Sequence, residues 1–174
     1  MRSRMFATAA VAAAFVMVPA GSALAGSGPA PAPSERASSQ STAPTPEGNP
    51  LSKRAQASDV CYDARQIGET RHIKQGGEII ASVKHFSSSI CEADYSYVWL
   101  WQSFVDKEDD YDVSAGMFNY AEDGQQGQVS WPKDNGQEYW SERSDASYDC
   151  KAAVGSVRPA GSATTYSGQT DKRC

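Results

Sequence analysis

Two histidines, His72 and His85, are the only residues in the sequence that could act as an imidazole base. A hydrolase triad needs a nucleophile on a defined turn and a base that a third group holds in place. The sequence contains no G-x-S-x-G motif or comparable context for such a nucleophile. Both histidines lie beside strand-like segments, where a hydrogen-bonded structural histidine is the ordinary outcome. We therefore expect no catalytic residue and no enzymatic activity.

The densest acidic stretch could be taken for a calcium loop, because some of its carboxylates alternate along the chain. It contains Asp106, Glu108, Asp109, Asp110 and Asp112. A calcium loop needs glycine at its sixth position and glutamate at its twelfth, and those positions hold Tyr111 and Met117 here. We therefore expect a solvated loop between two strands, no metal and no cofactor.

The first 25 residues have the pattern of a secretory signal peptide. Arg2 and Arg4 precede an apolar run over residues 5–18 and an A-L-A site, which predicts cleavage between Ala25 and Gly26. A membrane anchor needs about 20 continuous apolar residues, which this run does not supply. We expect a secreted, extracellular protein that is not held in a membrane.

The net charge of the chain is −5 at pH 7, and loss of the basic signal makes the mature chain more acidic. Binding to phosphate or to anionic lipid needs a concentrated basic surface. We therefore expect neither nucleic acid nor a membrane as a partner.

Four cysteines could hold a metal or form two disulfides. They lack the C-x-x-C pair typical of structural zinc sites, and an even number in an exported chain is typical of disulfides. Three pairings are possible, and we expect Cys61 with Cys91 and Cys150 with Cys174. Each bond would close a loop of a few tens of residues, which stabilises a domain by about 3 to 4 kcal/mol. With all four oxidised, no thiol nucleophile remains.

Residues 26–58 have the composition of a disordered or extended tether. The prolines of this segment are Pro29, Pro31, Pro33, Pro44, Pro46 and Pro50, and its one sizeable apolar side chain is Leu51. Such a segment cannot bury enough surface to offset the entropy of ordering it. Because prolines restrict the unfolded ensemble, a partner protein can grip the segment at a smaller entropic cost. We expect the prolines to contact a partner; the alternative is a spacer without a binding role.

Residues 59–174 show short apolar runs separated by turn residues, with apolar and polar residues alternating over residues 79–84. The strongest strand signal is residues 95–104, with Tyr97, Trp99 and Trp101 on one face and Val98, Leu100 and Phe104 on the other. A strand that is apolar on both faces is typical of the centre of a covered sheet. Residues 111–120 and 128–131 predict further strands. We predict one all-β domain, a small disulfide-stabilised sandwich or barrel.

Three aromatic residues flank a turn signal. Residues 134–136, Asp-Asn-Gly, tolerate positive φ and predict a tight hairpin between Trp131 on one side and Tyr139 and Trp140 on the other. Such a hairpin could present the rings on an exposed face, where aromatics bind sugars or anchor protein interfaces. The alternative is that they complete the core. Together with the tether prolines, these three are the candidate partner-binding residues.

The layout of export signal, Pro- and Ala-rich mature N-terminus and compact cysteine-bearing β domain resembles the adaptor subunits of umbrella toxin particles secreted by Streptomyces. The resemblance implies that the extended segment inserts into the repeat region of a large toxin subunit. It also implies that the globular part docks on a lectin-bearing subunit. The matching stretch here is residues 26–50 or a little beyond.

A second resemblance is to a domain of unknown function in secreted actinobacterial proteins. It rests on Cys61-Tyr62-Asp63-Ala64, on Ser88-Ser89-Ile90-Cys91 and on Trp99. The spacing after Cys91 departs from the family pattern, and the family implies a compartment but no activity.

Three functional classes follow from these features. The first is a secreted non-enzymatic adaptor that links other subunits of an extracellular complex, possible partners being the large toxin subunit and the lectin-like subunit. The second is a cell-wall or glycan-binding module, suggested by the aromatic residues. The third is a small protease inhibitor, a common role of disulfide-stapled exported domains. We favour the adaptor.

Overall fold

A computed structural model describes residues 41–146 and 149–174 of the chain. The signal peptide predicted over residues 1–25, and the tether prolines Pro29, Pro31 and Pro33, lie outside the described residues. The described strands are β1 (Arg65–Gln75), β2 (Glu78–Ser88), β3 (Ala93–Leu100), β4 (Tyr111–Asn119), β5 (Gly124–Asp134), β6 (Glu138–Trp140), β7 (Ser144–Asp145), β8 (Lys151–Pro159) and β9 (Tyr166–Gln169). The described helices are α1 (Lys53–Ala57) and α2 (Gln102–Val105). Neither is long and apolar enough to cross a membrane.

The strands form two antiparallel sheets that pack face to face. The first sheet has the order β1-β2-β3-β6, with β7 also paired to β3, and the second has the order β5-β4-β8-β9. Side chains from the inner faces of both sheets, among them Val83, Val98, Met117 and Val157, form one buried core. The predicted all-β fold is confirmed, and its two sheets make it a sandwich.

Strand β3 is central and covered on both sides, as its sequence predicts. Every residue of Ala93–Leu100 is buried. Val98 faces the core between the sheets, whereas Trp99 faces a second cluster on the outer side of the first sheet. The strand ends at Leu100 rather than continuing to Phe104, because the chain turns into α2. From this helix Phe104 packs into the core between the sheets.

The tight hairpin predicted at residues 134–136 is wrong, because the strands on its two sides belong to different sheets. Strand β5 pairs with β4 in the second sheet, whereas β6 pairs with β3 in the first. The Asp134 carboxylate accepts a hydrogen bond from the backbone N–H of Gly136 at 2.6 Å. Aspartate and glycine favour a tight turn whether or not the flanking strands pair with each other. Here residues 135–137 connect β5 in the second sheet to β6 in the first, and we call this connection the crossing.

Two disulfides hold the ends of the sandwich, with the expected pairing. Cys61 bonds to Cys91 and joins residues 59–64 to the turn between β2 and β3. Cys150 bonds to Cys174 at the start of β8, where Lys151 and Arg173 exchange backbone hydrogen bonds of 2.7 and 2.8 Å. The bonds indicate an oxidising compartment.

The folded unit begins earlier than the domain start expected at residue 59. Residues 41–58, assigned to the tether from their composition, belong to the compact unit. Helix α1 begins at Ser52, whose side chain accepts a hydrogen bond from the Ala55 N–H at 3.1 Å. Ser52 and Ala55 are fully buried. Low apolar content predicted disorder, but these small residues are ordered because they cover aromatic side chains of the first sheet.

Replacing Gly48 by alanine should loosen the contact between residues 41–52 and the first sheet. Gly48 has a φ of +93°, and an added Cβ would collide with the Phe86 ring. Gly77 is the matched control, because its φ is +89° and its added Cβ would meet open space. Positive φ should cost each variant about 1 to 2 kcal/mol, and the collision should cost Gly48→Ala roughly 1 to 3 kcal/mol more. Urea unfolding measures both losses, and equal losses would contradict this packing.

Candidate functional site

The N-terminal arm, defined as residues 41–52, is attached to the outer face of the first sheet. The Tyr97 hydroxyl donates a hydrogen bond to the Thr45 carbonyl at 2.5 Å, and Gly48 lies against the Phe86 ring. Beside the arm, Ala55 of helix α1 packs into the same outer cluster. These contacts hold the first described residue, Ser41, in a defined place on the sandwich.

Asn49 organises the arm internally. Its side-chain amide donates hydrogen bonds to the carbonyls of Ser41 at 2.7 Å and Ala43 at 2.9 Å. Its side-chain oxygen accepts a hydrogen bond from the Leu51 N–H at 3.0 Å. One side chain thus satisfies three backbone groups that the arm, which pairs with no strand, would otherwise leave to water.

The tether prolines within the described residues differ in accessibility. Pro44 and Pro46 are exposed, and Pro50 is half-buried. The arm therefore presents Pro44 and Pro46 to solvent, while Thr45 and Gly48 contact the sheet. Whether these prolines contact a partner stays a prediction.

Arg54 of helix α1 joins this side of the domain to the crossing between the sheets. Its guanidinium lies 3.1 Å from Asp134 Oδ1 and over the Tyr139 ring, 4.8 Å from the ring centroid. The Tyr139 hydroxyl also donates to Asp134, at 3.2 Å. Burial alone would raise the pKa of Asp134, but hydrogen bonds from Arg54 and Gly136 outweigh it and hold the pKa below its ordinary value. Burial raises the pKa of Tyr139.

A cleft of about 550 Å³ lies beside the arm. Residues 41–44, Lys53 and Arg54, and Gln137 and Glu138 line it. Glu138 is 4% exposed, accepts a hydrogen bond from Trp140 Nε1 at 3.0 Å, and has a pKa raised by burial. The cleft therefore combines two cations with a desolvated acid beside an exposed proline segment.

The predicted exposed aromatic face is wrong for two of its three residues. Tyr139 and Trp140 are fully buried, with the Trp140 ring 4.8 Å from Phe86 and Tyr139 5.0 Å from Trp131 between ring centroids. Trp131 is half-buried. The structure brings Trp131 and Tyr139 together but places Trp140 on the opposite face of the first sheet. Because β6 lies within a sheet covered on both sides, its rings complete the two cores.

The two histidines lie apart and have different partners. His72 is exposed on β1, with Nδ1 3.1 Å from Ser82 Oγ. His85 is 2% exposed, with Nε2 3.4 Å from an Asp94 oxygen, and the other Asp94 oxygen lies 4.0 Å from Lys151 Nζ. Burial alone would raise the pKa of Asp94, but the neighbouring His85 and Ser87 side chains, together with the positive charge of Lys151, lower it. The His85, Asp94 and Lys151 side chains form a buried polar set inside the sandwich.

Most of the acidic stretch, Asp106 to Asp110, lies in the loop that connects α2 to β4, whereas Asp112 lies within β4. Asp106 accepts a hydrogen bond from Gln102 Nε2 at 2.6 Å. Asp112 accepts from the Lys133 N–H at 2.9 Å and from Arg158 Nε at 3.0 Å. In residues 41–146 and 149–174, no group of three or more His, Cys, Asp or Glu residues could hold a metal ion.

The Cys61–Cys91 bond forms a surface that the sequence did not predict, which we name the disulfide-braced tip and define as residues 61–64 and 88–91. The Asp63 carboxylate accepts hydrogen bonds from the Ser88 hydroxyl at 2.5 Å and from the Ile90 N–H at 3.1 Å. Tyr62 directly follows Cys61 and is 68% exposed, and Ile90 directly precedes Cys91 and is 61% exposed. The signal was present in the sequence as the Cys-x-Asp-Ala and Ser-x-x-Cys stretches.

The outer face of the second sheet is polar and faces solvent. Ser114 is the register partner of both Ser130 and Ser156, and the hydroxyls of Ser114 and Ser156 are 2.7 Å apart. Beyond one end of β4, Tyr120 is 39% exposed and lies under Lys172 Nζ, 4.6 Å from the ring centroid. The serine hydroxyls of this face can donate and accept hydrogen bonds without carrying charge.

Replacing Asp134 by asparagine should flatten the acid limb of the stability profile. Because folding lowers the pKa of Asp134, its stabilising effect is complete at neutral pH and is lost as the pH falls below the ordinary value of 3.8 toward the folded pKa. We expect Asp134→Asn to lose about 1 to 3 kcal/mol at pH 7 and to show a smaller further loss below about pH 4. Asp109→Asn, at an exposed loop position, is the control. Urea unfolding from pH 7 to acid measures both, and an unchanged slope in Asp134→Asn would contradict this account.

Comparisons of this chain with protein-family models, with curated proteins and with solved structures find no match. The candidate surfaces are accordingly interpreted from their own residues.

Proposed function

We propose that this protein is a secreted, non-enzymatic adaptor that links other subunits of an extracellular protein complex. Its segment over residues 26–40 is one contact, and its sandwich is the other. The observation that carries the proposal is the attachment of the arm. Tyr97 binds the Thr45 carbonyl at 2.5 Å, and Gly48 lies against Phe86. The arm is therefore a fixed root on the sandwich, and the proposed partner of residues 26–40 would bind the chain directly before it.

A fixed root favours linkage for a thermodynamic reason. Two binding modules that are connected raise each other's effective concentration, and the gain is largest when the connection matches the span between the sites. The hydrogen bonds of Asn49 and the burial of Ser52 and Ala55 place the arm in the folded unit, so fewer residues connect the two proposed contacts than the composition of residues 26–58 predicts. Its prolines further restrict the unbound ensemble, which lowers the entropy that binding must remove.

The complex we propose is an antibacterial toxin particle of the umbrella type, since the order of segments resembles its adaptors. The partners would then be a large toxin subunit for residues 26–40 and a lectin-like subunit for the sandwich. The two disulfides support a role in an oxidising compartment, and the sequence pattern of residues 1–25 supports secretion.

Deleting residues 26–40 should abolish one partnership and leave the sandwich folded. The deletion spares residues 41–58, which belong to the folded unit, so the melting temperature should change by less than about 2 °C. Replacing residues 26–40 by a Gly/Ser segment of equal length is the matched control and should weaken the same partnership. Co-purification from culture medium measures the loss. A full set of partners in the deletion variant would contradict the proposal.

A glycan-binding module is the second candidate, and the outer face of the second sheet favours it. Uncharged hydroxyls on Ser114, Ser130 and Ser156 lie on one sheet face, with Tyr120 beyond the end of β4. If this face binds a glycan, Tyr120→Ala should reduce retention on insoluble peptidoglycan or chitin by up to about tenfold. Lack of retention of the unmodified chain would discard the candidate.

A further inference from the structure

We propose that Tyr62 and Ile90 form the knob by which the sandwich docks into a concave apolar pocket on a second secreted protein. The proposal rests on the adaptor function and names the residues of its second contact. Tyr62 is 68% and Ile90 61% exposed.

Position rather than exposure alone distinguishes these two residues. Single exposed apolar side chains are common on soluble proteins. Here the two flank one disulfide, whose cysteines have Cα atoms 6.3 Å apart. Consecutive Cα atoms are 3.80 Å apart, so the Cα atoms of Tyr62 and Ile90 are at most about 14 Å apart. The two exposed side chains are therefore attached to backbone positions that lie within the span of one small protein pocket.

The tip is also preorganised. Asp63 binds the Ser88 hydroxyl at 2.5 Å and the Ile90 N–H at 3.1 Å, and the Cys91 N–H donates to Ser88 Oγ at 3.0 Å. The hydrogen bond from Ser88 is the largest influence that holds the pKa of Asp63 below its ordinary value, so the carboxylate is ionised at neutral pH. A backbone held in this way loses little entropy when a partner covers it.

A cation at the tip completes the composition of a protein-binding surface. Arg143 is 54% exposed at its side chain, and it donates a hydrogen bond to the Cys91 carbonyl at 3.2 Å. Tyrosine and arginine are enriched among residues that dominate interface energies. With Ile90 as an apolar anchor, Tyr62 and Arg143 can bind a pocket that has a polar rim.

A protein pocket fits this surface better than a membrane or a second copy of the chain. Binding to an anionic bilayer is favoured by clustered basic residues, whereas the chain has a net charge of −5 and exposed Glu92 adjoins the tip. A symmetric dimer would bring the same few side chains of two copies together and would bury less of each than a pocket that surrounds them.

The test uses the tagged full-length chain, isolated with its partners from the culture medium of the organism that encodes it. Each partner is identified by mass spectrometry, expressed and purified, and its Kd for the chain is measured. Tyr62→Ser combined with Ile90→Ser should weaken one partner by about tenfold or more, while the partner lost on deletion of residues 26–40 stays bound. Trp101→Ser, at an exposed aromatic position directly after β3, is the matched control and should change neither Kd.

Folding is checked separately, because the serine variant must retain its structure. Both side chains are mostly exposed, so its melting temperature should stay within about 2 °C of the unmodified chain. As a second measurement, a photo-crosslinking amino acid at position 62 of the otherwise unmodified chain should label the same partner.

Several results would overturn the inference. An unchanged Kd, an equal loss in Trp101→Ser, or crosslinking to a different protein would do so. If the double serine variant loses binding to vesicles of phosphatidylcholine and phosphatidylglycerol, the knob binds a membrane instead. If it loses a dimer that the unmodified chain forms in sedimentation, the knob binds a second copy of the chain. If only the deletion of residues 26–40 removes a partner, the adaptor function stands and this inference fails. If no variant removes a partner, or the chain elutes alone, both fail.

Discussion

Burial of the aromatic outer face of the first sheet is the constraint on which the rest of the structure depends. Phe86, Tyr97 and Trp140 meet with ring centroids 4.5 to 5.8 Å apart. The second sheet covers only the opposite face, so another part of the chain must exclude water from these rings. The arm, helix α1 and residues 59–64 do so, and the burial of each large ring contributes roughly 2 to 3 kcal/mol. The segment is thus ordered by the apolar area that it covers on the sheet.

This division gives the two sheets different roles. The first sheet is buried on both sides and carries the attached arm on one side. The second sheet keeps a polar, solvated face, where Ser114 and Ser156 bind each other at 2.7 Å. Between them, Arg54 and Asp134 link helix α1 to the crossing at 3.1 Å. The arm, the crossing and the disulfide-braced tip are therefore positioned by one framework, which suits a protein that joins partners at separate places.

The sequence predicted the fold better than it predicted the surfaces. Strong local signals, such as the doubly apolar β3 and the cysteine pairs, identified the core and both bonds. Pairing between β6 and β3 depends on residues far apart in the chain, so Asp134 and Gly136 predicted a hairpin and Tyr139 and Trp140 were wrongly expected on a surface. The arm was missed because the surface it buries belongs to Phe86 and Tyr97. Tyr62 and Ile90 lie within short motifs whose other residues, such as Asp63 and Ser88, form hydrogen bonds within the tip. Only the structure shows that the Tyr62 and Ile90 side chains are exposed instead.

The arrangement of the two cross-links has a consequence for how the chain acquires them. The bonded cysteines are separated by 30 and 24 residues, whereas every other pairing would close a loop roughly two or more times as long, with a larger entropic penalty. Cys61 and Cys91 enclose β1 and β2, a single antiparallel pair that can form early and bring their sulfurs together. In an oxidising compartment, bond formation therefore favours the native cysteine pairs kinetically, with little need for thiol exchange to repair mismatched bonds.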